Sequence, residues 1–505
     1  MSTPADLFLD NPLIVKHQRS RLRTAQIVPA LIAVVCICGV FTYVAFSVGN
    51  GASAGFFSFL CGIGGLILVI GGANQVAMSV GGAKESGILD FHRVSPLPAE
   101  AVTLGFFLGA PIREYLLFAV MLPFMLITGL QGGLDLGTIL NSIVPILFTA
   151  WLIHAIAIFT ALVARKPRMA SAAVVGLTII SLWVGSATLF AFQARAGANG
   201  GNFDLTHIDF FGVSIPRLLF LAIYQGSAIL FCLVAATRKM RAERAMTFAK
   251  GEALLCMATV VALTLGAFWT AKGMGLIVPV LLYVFMIAGI LLCATITPDL
   301  GDYVKGVRRA RRTSHRRAPA LSDHASNIWT VYGLSAWVAV GATIAWEAIA
   351  MVQGNVNLGP LMGPPGRFAF SQTIAVGVFT VAYFGLGKQY FLLKFAKRGE
   401  TYFRLFLFLV WVMPLLIGLA TTVASANMGI VQMIMGVSPW AGIILSIDGG
   451  PAANDIAYWV RFMALFPSLA LAFVFQFLLI NQQRLIDRGL ANSPMRAADK
   501  ESVMF

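Results

Sequence analysis

The stretch NPLIVKHQRSRLRTAQIVPALIAVVCICGVFTYVAFSV, residues 11–48, joins a basic segment (Lys16–Arg23) to an apolar run at 25–48. A helix that crosses the hydrocarbon core of a bilayer needs roughly 20 apolar residues, because every backbone N–H and C=O must be hydrogen-bonded within the segment. The run is also longer than the roughly 7–15 apolar residues of a secretory signal. It predicts a retained first transmembrane helix.

The composition of the whole chain points the same way. Of its 505 residues 58% are hydrophobic and only 11% are charged, whereas soluble domains carry about 25% charged residues. A soluble fold of this size could not hide so much apolar surface in one or two cores. The formal net charge of +15 would suggest nucleic acid in a soluble protein. Its distribution among the loops indicates membrane topology instead, and we expect no nucleic-acid partner.

Twelve apolar runs bounded by charged residues, glycine or proline predict an all-α polytopic bundle of about twelve transmembrane helices. The runs lie near 25–48, 55–80, 101–130, 137–163, 170–193, 213–236, 253–271, 274–297, 327–351, 369–388, 403–425 and 457–480. A further run at 428–447 is interrupted by Gly436 and by Ser438-Pro439. It predicts a re-entrant or interfacial element.

The positive-inside rule predicts the orientation of these helices. With the N-terminus in the cytoplasm, the inside segments hold 30 of the 36 lysines and arginines. The outside loops hold only Arg195, Lys272 and Arg367. Both termini are therefore predicted to be cytoplasmic, in a multi-pass protein of the cell (inner) membrane.

The order of spans and loops repeats along the chain. It predicts two six-span halves, 1–252 and 253–505, the second with a basic loop at 298–326 and an outer hairpin at 428–447. A six-span half with six appended helices is the alternative. At the N-terminus, Asn11 can cap a helix with Pro12 in its first position. This helix would lie on the inner leaflet, or the segment would be a solvated basic tail.

The cytoplasmic segment KESGILDFHRVSPLPAEAVTLGFFLGAP, residues 84–111, mixes apolar and charged residues. A short helix is predicted from about Gly87 to Val94, ending at Ser95 because the residue before a proline avoids the α region. Ser95 could cap the next helix. The segment would dock into a groove on a soluble partner, or would be an ordinary turn between two spans.

NPLIVKHQRSRLR and KESGILDFHRVSPLPAEAVTLG resemble the membrane subunits of ABC-type exporters of the second export class. Those permeases begin with an Asn-Pro…Arg-Ser-Arg-Leu-Arg helix. After the second span they carry Glu-x-Gly-Thr-Leu…Ser/Thr-Pro-Leu-Ser…Leu-Gly. Ile88 stands here for the usual threonine, Pro98 for the usual serine, and His17-Gln18 for the usual acidic residue. The resemblance covers about the first 130 residues; later it rests on Ser438-Pro439 before the last span.

The resemblance implies that residues 84–97 contact a separate ABC ATPase subunit and transmit its closure to the spans. It also leaves open whether the channel contains a homodimer or a second permease chain. The candidate coupling residues are Glu85, Gly87, Leu89, Asp90, Arg93, Ser95, Pro96 and Leu97.

The corresponding loop of the second half is strongly basic. It would either meet anionic lipid headgroups, as a topology anchor in contact with membrane lipids, or form a second docking loop for the ATPase. Its candidate residues are Lys305, Arg308, Arg309, Arg311 and Arg312.

Arg113 and Glu114 are charged residues within a predicted span, where a charge is costly and often functional. They are a candidate gate that would move with the coupling segment. If Pro111 bends the helix, they would instead lie at the cytoplasmic interface.

The sequence has no G-x-x-x-x-G-K-[ST] loop, no H-E-x-x-H and no Rossmann fingerprint. We therefore predict no enzymatic activity and no cofactor or metal bound by this chain, with ATP hydrolysed by another subunit. An ion-coupled secondary transporter and a non-transporting membrane scaffold are the alternatives.

Overall fold

The computed structural model of the chain describes residues 11–163, 207–243, 245–268, 277–312, 318–353, 367–424, 428–447 and 454–492. Of these residues 87% are helical, so the predicted all-α class is confirmed. Up to the predicted midpoint the helices are α1 (Pro12–Arg21), α2 (Thr24–Val48), α3 (Asn50–Gly65), α4 (Gly72–Glu85), α5 (Ile88–Val94), α6 (Ala99–Gly109), α7 (Ile112–Gln131), α8 (Leu136–Val163) and α9 (Arg217–Arg241). A π-helical turn, Leu66–Gly71, joins α3 to α4.

The remaining helices follow a short loop. They are α10 (Lys250–Phe268), α11 (Ile277–Ile296), α12 (Leu300–Arg312), α13 (Ile328–Gln353), α14 (Arg367–Phe395), α15 (Gly399–Leu407), α16 (Met413–Ala424), α17 (Met428–Gly436), α18 (Pro439–Ile447) and α19 (Asn454–Asn492). Strands β1 (His207–Phe210) and β2 (Val213–Pro216) form a two-stranded sheet that the sequence did not predict.

Long apolar helices make this chain a multi-pass membrane protein. Within the described ranges, nine helical segments are long and apolar enough to cross a bilayer, or ten if the bent pair α11–α12 forms one crossing. The predicted run at 170–193 lies outside the described residues. The run at 213–236 begins later than predicted, because 213–216 is strand β2 and α9 starts at Arg217.

The predicted span at 101–130 is two helices. α6 ends at Gly109, and α7 begins at Ile112 after Ala110 and Pro111. Proline lacks the N–H that would continue the helical hydrogen bonding, which explains the break. With 11 residues, α6 is about 16 Å long and too short to cross, whereas the 20 residues of α7 reach about 30 Å.

The helical stretch Ser371–Thr422 is 52 residues long, about 78 Å if straight and far longer than one crossing. It reverses at a 3-10 turn, where Ala396 has a positive φ of 46°. Phe391 packs on Phe403, and Phe384 packs on Trp411. Phe384 comes before Phe391 in the chain, whereas its partner Trp411 comes after Phe403. α14 and the segment after the turn are therefore antiparallel, in keeping with the two apolar runs predicted at 369–388 and 403–425.

Between α16 and α19 lies a pair of short helices. α17 and α18 have nine residues each, about 14 Å, so neither can cross a bilayer. They are separated by Val437 and Ser438, and the Ser438 hydroxyl donates to the Trp411 carbonyl at 2.8 Å. This is the segment predicted as the outer hairpin.

The chain divides into two compact units, with the main boundary between Thr247 and Phe248. The hairpin residues 209–212 belong to the second unit. Each unit has its own buried apolar clusters, around Val76 and Ile158 in the first and around Phe285 and Tyr383 in the second. That the halves are duplicates stays a prediction.

Helix α1 packs against α6. The Asn11 side chain accepts from Leu13 N at 3.0 Å and donates to the Ala101 carbonyl at 2.7 Å. Leu13 is only 4% exposed and lies over Gly105, where a Cβ atom would come within 2.5 Å of the Leu13 Cβ. Small residues let two helix backbones approach closely in this way. The predicted helix is thus present, and it is docked rather than a solvated tail.

This seam yields a prediction. Gly105→Ala should lower the free energy of unfolding by about 1–3 kcal/mol, because the new methyl group collides with the base of the Leu13 side chain rather than with a flexible end. The measurement is the melting temperature of the purified chain in detergent.

Gly82→Ala is the matched control, because nothing lies within 4 Å of the position of its Cβ in α4. It should leave stability unchanged or raise it by up to about 1 kcal/mol through helix propensity. Equal melting temperatures for the two variants would contradict close packing of α1 on α6.

Candidate functional site

The predicted coupling segment forms a short helix, α5, between α4 and α6. Gly87 has a positive φ of 74°, the left-handed conformation in which glycine commonly ends a helix. α5 then runs from Ile88 to Val94, and Ser95 is extended at φ −77° and ψ 159°, as expected of a residue before proline. The predicted helix and its end are observed.

The predicted capping role of Ser95 is wrong. Its hydroxyl donates back to the His92 carbonyl at 2.9 Å, and the next helix starts only at Ala99. Pro98 accounts for the difference, because a second proline also keeps Leu97 out of the α region. Residues 95–98 therefore form a non-helical connection between α5 and α6.

Two residues attach α5 to the rest of its unit. Leu89 is 3% exposed and belongs to a core cluster. The Arg93 guanidinium donates to the carbonyls of Lys239 and Met240, each at 3.2 Å, and pairs with Asp90 at 2.5 Å. Because a cation is favourable at the C-terminal end of a helix, Arg93 ties α5 to the end of α9.

The opposite face of α5 is exposed and partly apolar. Val94 is 83% exposed, Phe91 67% and Ile88 38%. Glu85 and Asp90 are exposed beside them. Large apolar side chains that are exposed side by side, with acidic neighbours, are typical of a surface that contacts a partner.

A groove of about 260 Å³ lies beside α5, with Leu89, His92 and Leu97 on one side and Met240 and Arg241 on another. Arg241 also pairs with Glu100 at 2.8 Å, so α6 and α9 are joined at this point. Burial, and then the charge of Lys16, lower the pKa of His92.

Helix α1 approaches the same end of the unit. Its Arg21 side chain donates to Gln75 Oε1 and, at 2.8 Å, to Ser79 Oγ, both on α4. Its His17 ring packs edge-on against Phe106, with 5.6 Å between ring centroids. α1 thus contacts both helices that flank α5.

Arg113 and Glu114, the candidate gate residues, lie in the first turn of α7. Glu114 is 2% exposed, and its Oε1 accepts from Arg113 Nη2 at 2.8 Å. Its Oε2 is buried without a hydrogen-bond partner in the described part of the chain. The Arg21 guanidinium interacts electrostatically with both Glu114 and Arg113. The pair is near α1, as the bent-helix interpretation requires, and its role as a gate stays a prediction.

The sequence did not predict the polar contacts at the π-helical turn. His154 of α8 is fully buried; its Nε2 donates to the Leu68 carbonyl at 3.0 Å, and its Nδ1 lies 3.0 Å from the Tyr115 hydroxyl. In a neutral imidazole Nδ1 then accepts from Tyr115. Leu68 lies within the π-helical turn, and its carbonyl accepts from the backbone N–H of Gly72 as well as from His154. The isolated histidine of α8 was the one available signal.

The basic loop of the second half contains helix α12. Tyr303, Gly306 and Ala310 form its buried face. Arg311 donates to the Asp487 carbonyl at 2.7 Å, and Lys305 pairs with Asp302 at 3.1 Å. Three further candidates of this loop are exposed: Arg308, Arg309 and Arg312.

The described residues include no group of three or more His, Cys, Asp or Glu side chains that could hold a metal ion. No family model, curated protein or solved structure matches this chain.

The burial of His17 predicts a pH dependence. Burial, followed by the charges of Arg21 and Lys16, lowers the pKa of His17 from 6.5 to about 4. Between these pH values the unfolded chain binds a proton that the folded chain does not, so stability falls as the pH falls. We expect a loss on the order of 2–3 kcal/mol from this residue, measured by melting temperature from pH 7 to pH 4.

His17→Gln is the control, because it keeps a polar side chain that does not titrate. Below pH 6.5 the melting temperature of the native chain should fall more steeply with falling pH than that of the variant. The same dependence of melting temperature on pH in both proteins, over the whole range, would show that His17 is not buried against α6.

Proposed function

We propose that this chain is the transmembrane permease subunit of an ATP-driven ABC exporter, with hydrolysis performed by a separate subunit. The observation that carries the proposal is α5, which exposes Phe91 and Val94 while Leu89 and Arg93 hold it to its unit. Exposed apolar side chains on a helix that is anchored to its unit can bind a partner and transmit its movement. The family resemblance of residues 84–105 supports the same role.

The contacts of α5 suggest how force would spread. α5 is continuous with α4 through Gly87 and with α6 through the two-proline connection. Arg93 links it to α9, and Arg241 of α9 links back to Glu100 of α6. A push on the exposed face would therefore displace α4, α6 and α9 together, with α1 following through Gly105.

Twelve crossings with both termini in the cytoplasm, in the cell membrane, are part of this proposal. The described segments support it when Ser371–Thr422 provides two antiparallel crossings and α11 provides one. The remaining predicted crossing, 170–193, lies outside the described residues. Pairing with a second copy or a second permease chain is also proposed, to complete a channel that expels a lipid-like or amphipathic substrate.

Val94→Glu tests the proposal. A carboxylate at the most exposed apolar position of α5 should disrupt docking without disturbing the fold. Val213→Glu is the matched control, since Val213 of β2 is 63% exposed and lies on the side predicted to be outside. Tagged chains are purified from native membranes, and ATP hydrolysis per mole of chain is measured.

We expect ATPase activity to co-purify with the native chain and with the Val213→Glu variant. The co-purifying activity of Val94→Glu should be at least about tenfold lower, which corresponds to roughly 1.4 kcal/mol of association free energy. The proposal fails if the native chain transports without any associated ATPase. It also fails if the two valine variants retain equal activity.

The buried Glu114 favours one alternative, an ion-coupled secondary transporter, because an acidic side chain buried within a membrane helix often belongs to an ion pathway, and its Oε2 has no hydrogen-bond partner among the described residues. Inverted membrane vesicles supplied with an amphipathic fluorescent dye separate the two functions. Under our proposal ATP drives dye uptake, an imposed pH gradient alone does not, and Glu114→Gln keeps the dependence on ATP.

Vesicles without the chain provide the background for this measurement. Uptake driven by the pH gradient alone, and reduced at least tenfold by Glu114→Gln, would instead assign the chain to the ion-coupled class.

A further inference from the structure

The connection between α11 and α13 builds a charged surface in the second unit. Three residues separate the end of α11 from the start of α12, and α12 is bent from α11 by 68°. If α11 crosses the bilayer along its normal, α12 runs close to the plane of the membrane, at the depth of the headgroups. Trp329, at the start of α13, is 74% exposed, as is typical of tryptophan at a membrane–water interface.

The apolar face of α12 is already covered by its own unit. Tyr303, Gly306 and Ala310 are buried, and a Cβ at Gly306 would lie 2.6 Å from the His324 carbonyl oxygen. The exposed residues of the helix are Gly301, Lys305, Arg308, Arg309 and Arg312. With spacings of three and four residues they share one face. α12 therefore presents cations and no large apolar side chain.

The loop that follows is held in place by buried polar side chains. Lys250 Nζ donates to the carbonyls of Ala325, at 2.6 Å, and Ser326, at 3.0 Å. Gln389 accepts from Asn327 N at 2.9 Å, and Gln483 donates to Ser326 Oγ at 2.7 Å. Three helices thus fix the wall of the cavity described next.

A cavity of about 480 Å³ opens between α12, this loop, the start of α13 and the C-terminal part of α19. Val307, Ile328, Trp329 and Ile480 give it an apolar side. His324 and Arg484 give it a polar side, together with the acidic residue Asp487. The bond from Arg311 to the Asp487 carbonyl places the cationic helix at its edge.

We propose that this site binds an anionic phospholipid. The phosphate would lie against the guanidinium groups of Arg308, Arg312 and Arg484, since arginine matches phosphate oxygens with paired N–H donors. The upper acyl chain would lie along Ile328 and Trp329. The inference is independent of the proposed transport function.

The surface favours a lipid over a protein partner. Protein interfaces are anchored by apolar and aromatic residues at their centre, which α5 exposes and the outer face of α12 lacks. Each lysine or arginine near an anionic leaflet contributes about 1 kcal/mol. The amphipathic cavity beside the cations then adds room for one lipid chain, which a purely electrostatic surface contact would not need.

The purified full-length chain in detergent is titrated with dioleoyl phosphatidylglycerol, dioleoyl phosphatidylcholine and soluble glycerol 3-phosphate. Bound lipid is counted by native mass spectrometry, and the melting temperature is followed in parallel. We expect only phosphatidylglycerol to be retained and to raise the melting temperature. Arg308→Gln with Arg312→Gln should weaken its binding roughly fivefold for each arginine, and Trp329→Ala should weaken it as well.

Lys397→Gln with Arg398→Gln is the matched control, because it removes the same charge from exposed residues of another turn in this unit. It should bind like the native chain. Equal retention of phosphatidylcholine would overturn headgroup recognition, and an equal effect of glycerol 3-phosphate would reveal a free-phosphate site. Native lipid binding in the Arg308/Arg312 variant would also overturn the proposal, and loss of a co-purifying protein in that variant would assign the face to protein docking.

Discussion

Partly buried side-chain donors satisfy backbone carbonyls at the ends of several apolar helices, and the rest of the structure depends on this constraint. An unpaired carbonyl away from water is costly, and the last turn of every helix leaves several. Lys84 donates to Leu162 O at the end of α8, and Lys388 donates to Ala294 O at the end of α11. Arg93 does the same for α9. Long basic side chains reach these positions from neighbouring helices and complement the helix dipole.

The same contacts show that basic residues used to predict the topology also have structural partners. The three helix ends closed by Lys84, Arg93 and Lys388 all lie on the predicted cytoplasmic side. The lysines and arginines that indicate orientation are thus partly structural, since they join the ends of adjacent helices. Helix α5 is held by a contact of the same kind, because Arg93 both donates to the carbonyls at the end of α9 and fixes the position of α5. Topology and the candidate site therefore rest on shared residues.

Local chemistry made much of this structure predictable from sequence. Asn11 and Pro12 determine the start of α1, while Gly87 and Pro96 bracket α5. Features set by contacts distant in sequence were missed. Neither the bond from Asn11 to Ala101 nor the close approach at Gly105 has a local signature. The cap proposed for Ser95 failed because a second proline, Pro98, three residues later outweighs capping propensity. The sheet at 207–216 was also missed: HIDF and VSIP each alternate polar and apolar residues, but four residues are too few to stand out beside a long apolar run.

The π-helical turn at Leu66–Gly71 determines which way the following helix faces. Such a turn contains one residue more than the α-helix it interrupts, and one residue corresponds to about 100° of rotation. Without it, Gln75 and Ser79 would point about a quarter of a turn away from Arg21. The extra residue therefore rotates α4 relative to α3 about the helix axis. The polar side of α4 then faces α1, while α3 keeps its own apolar contacts.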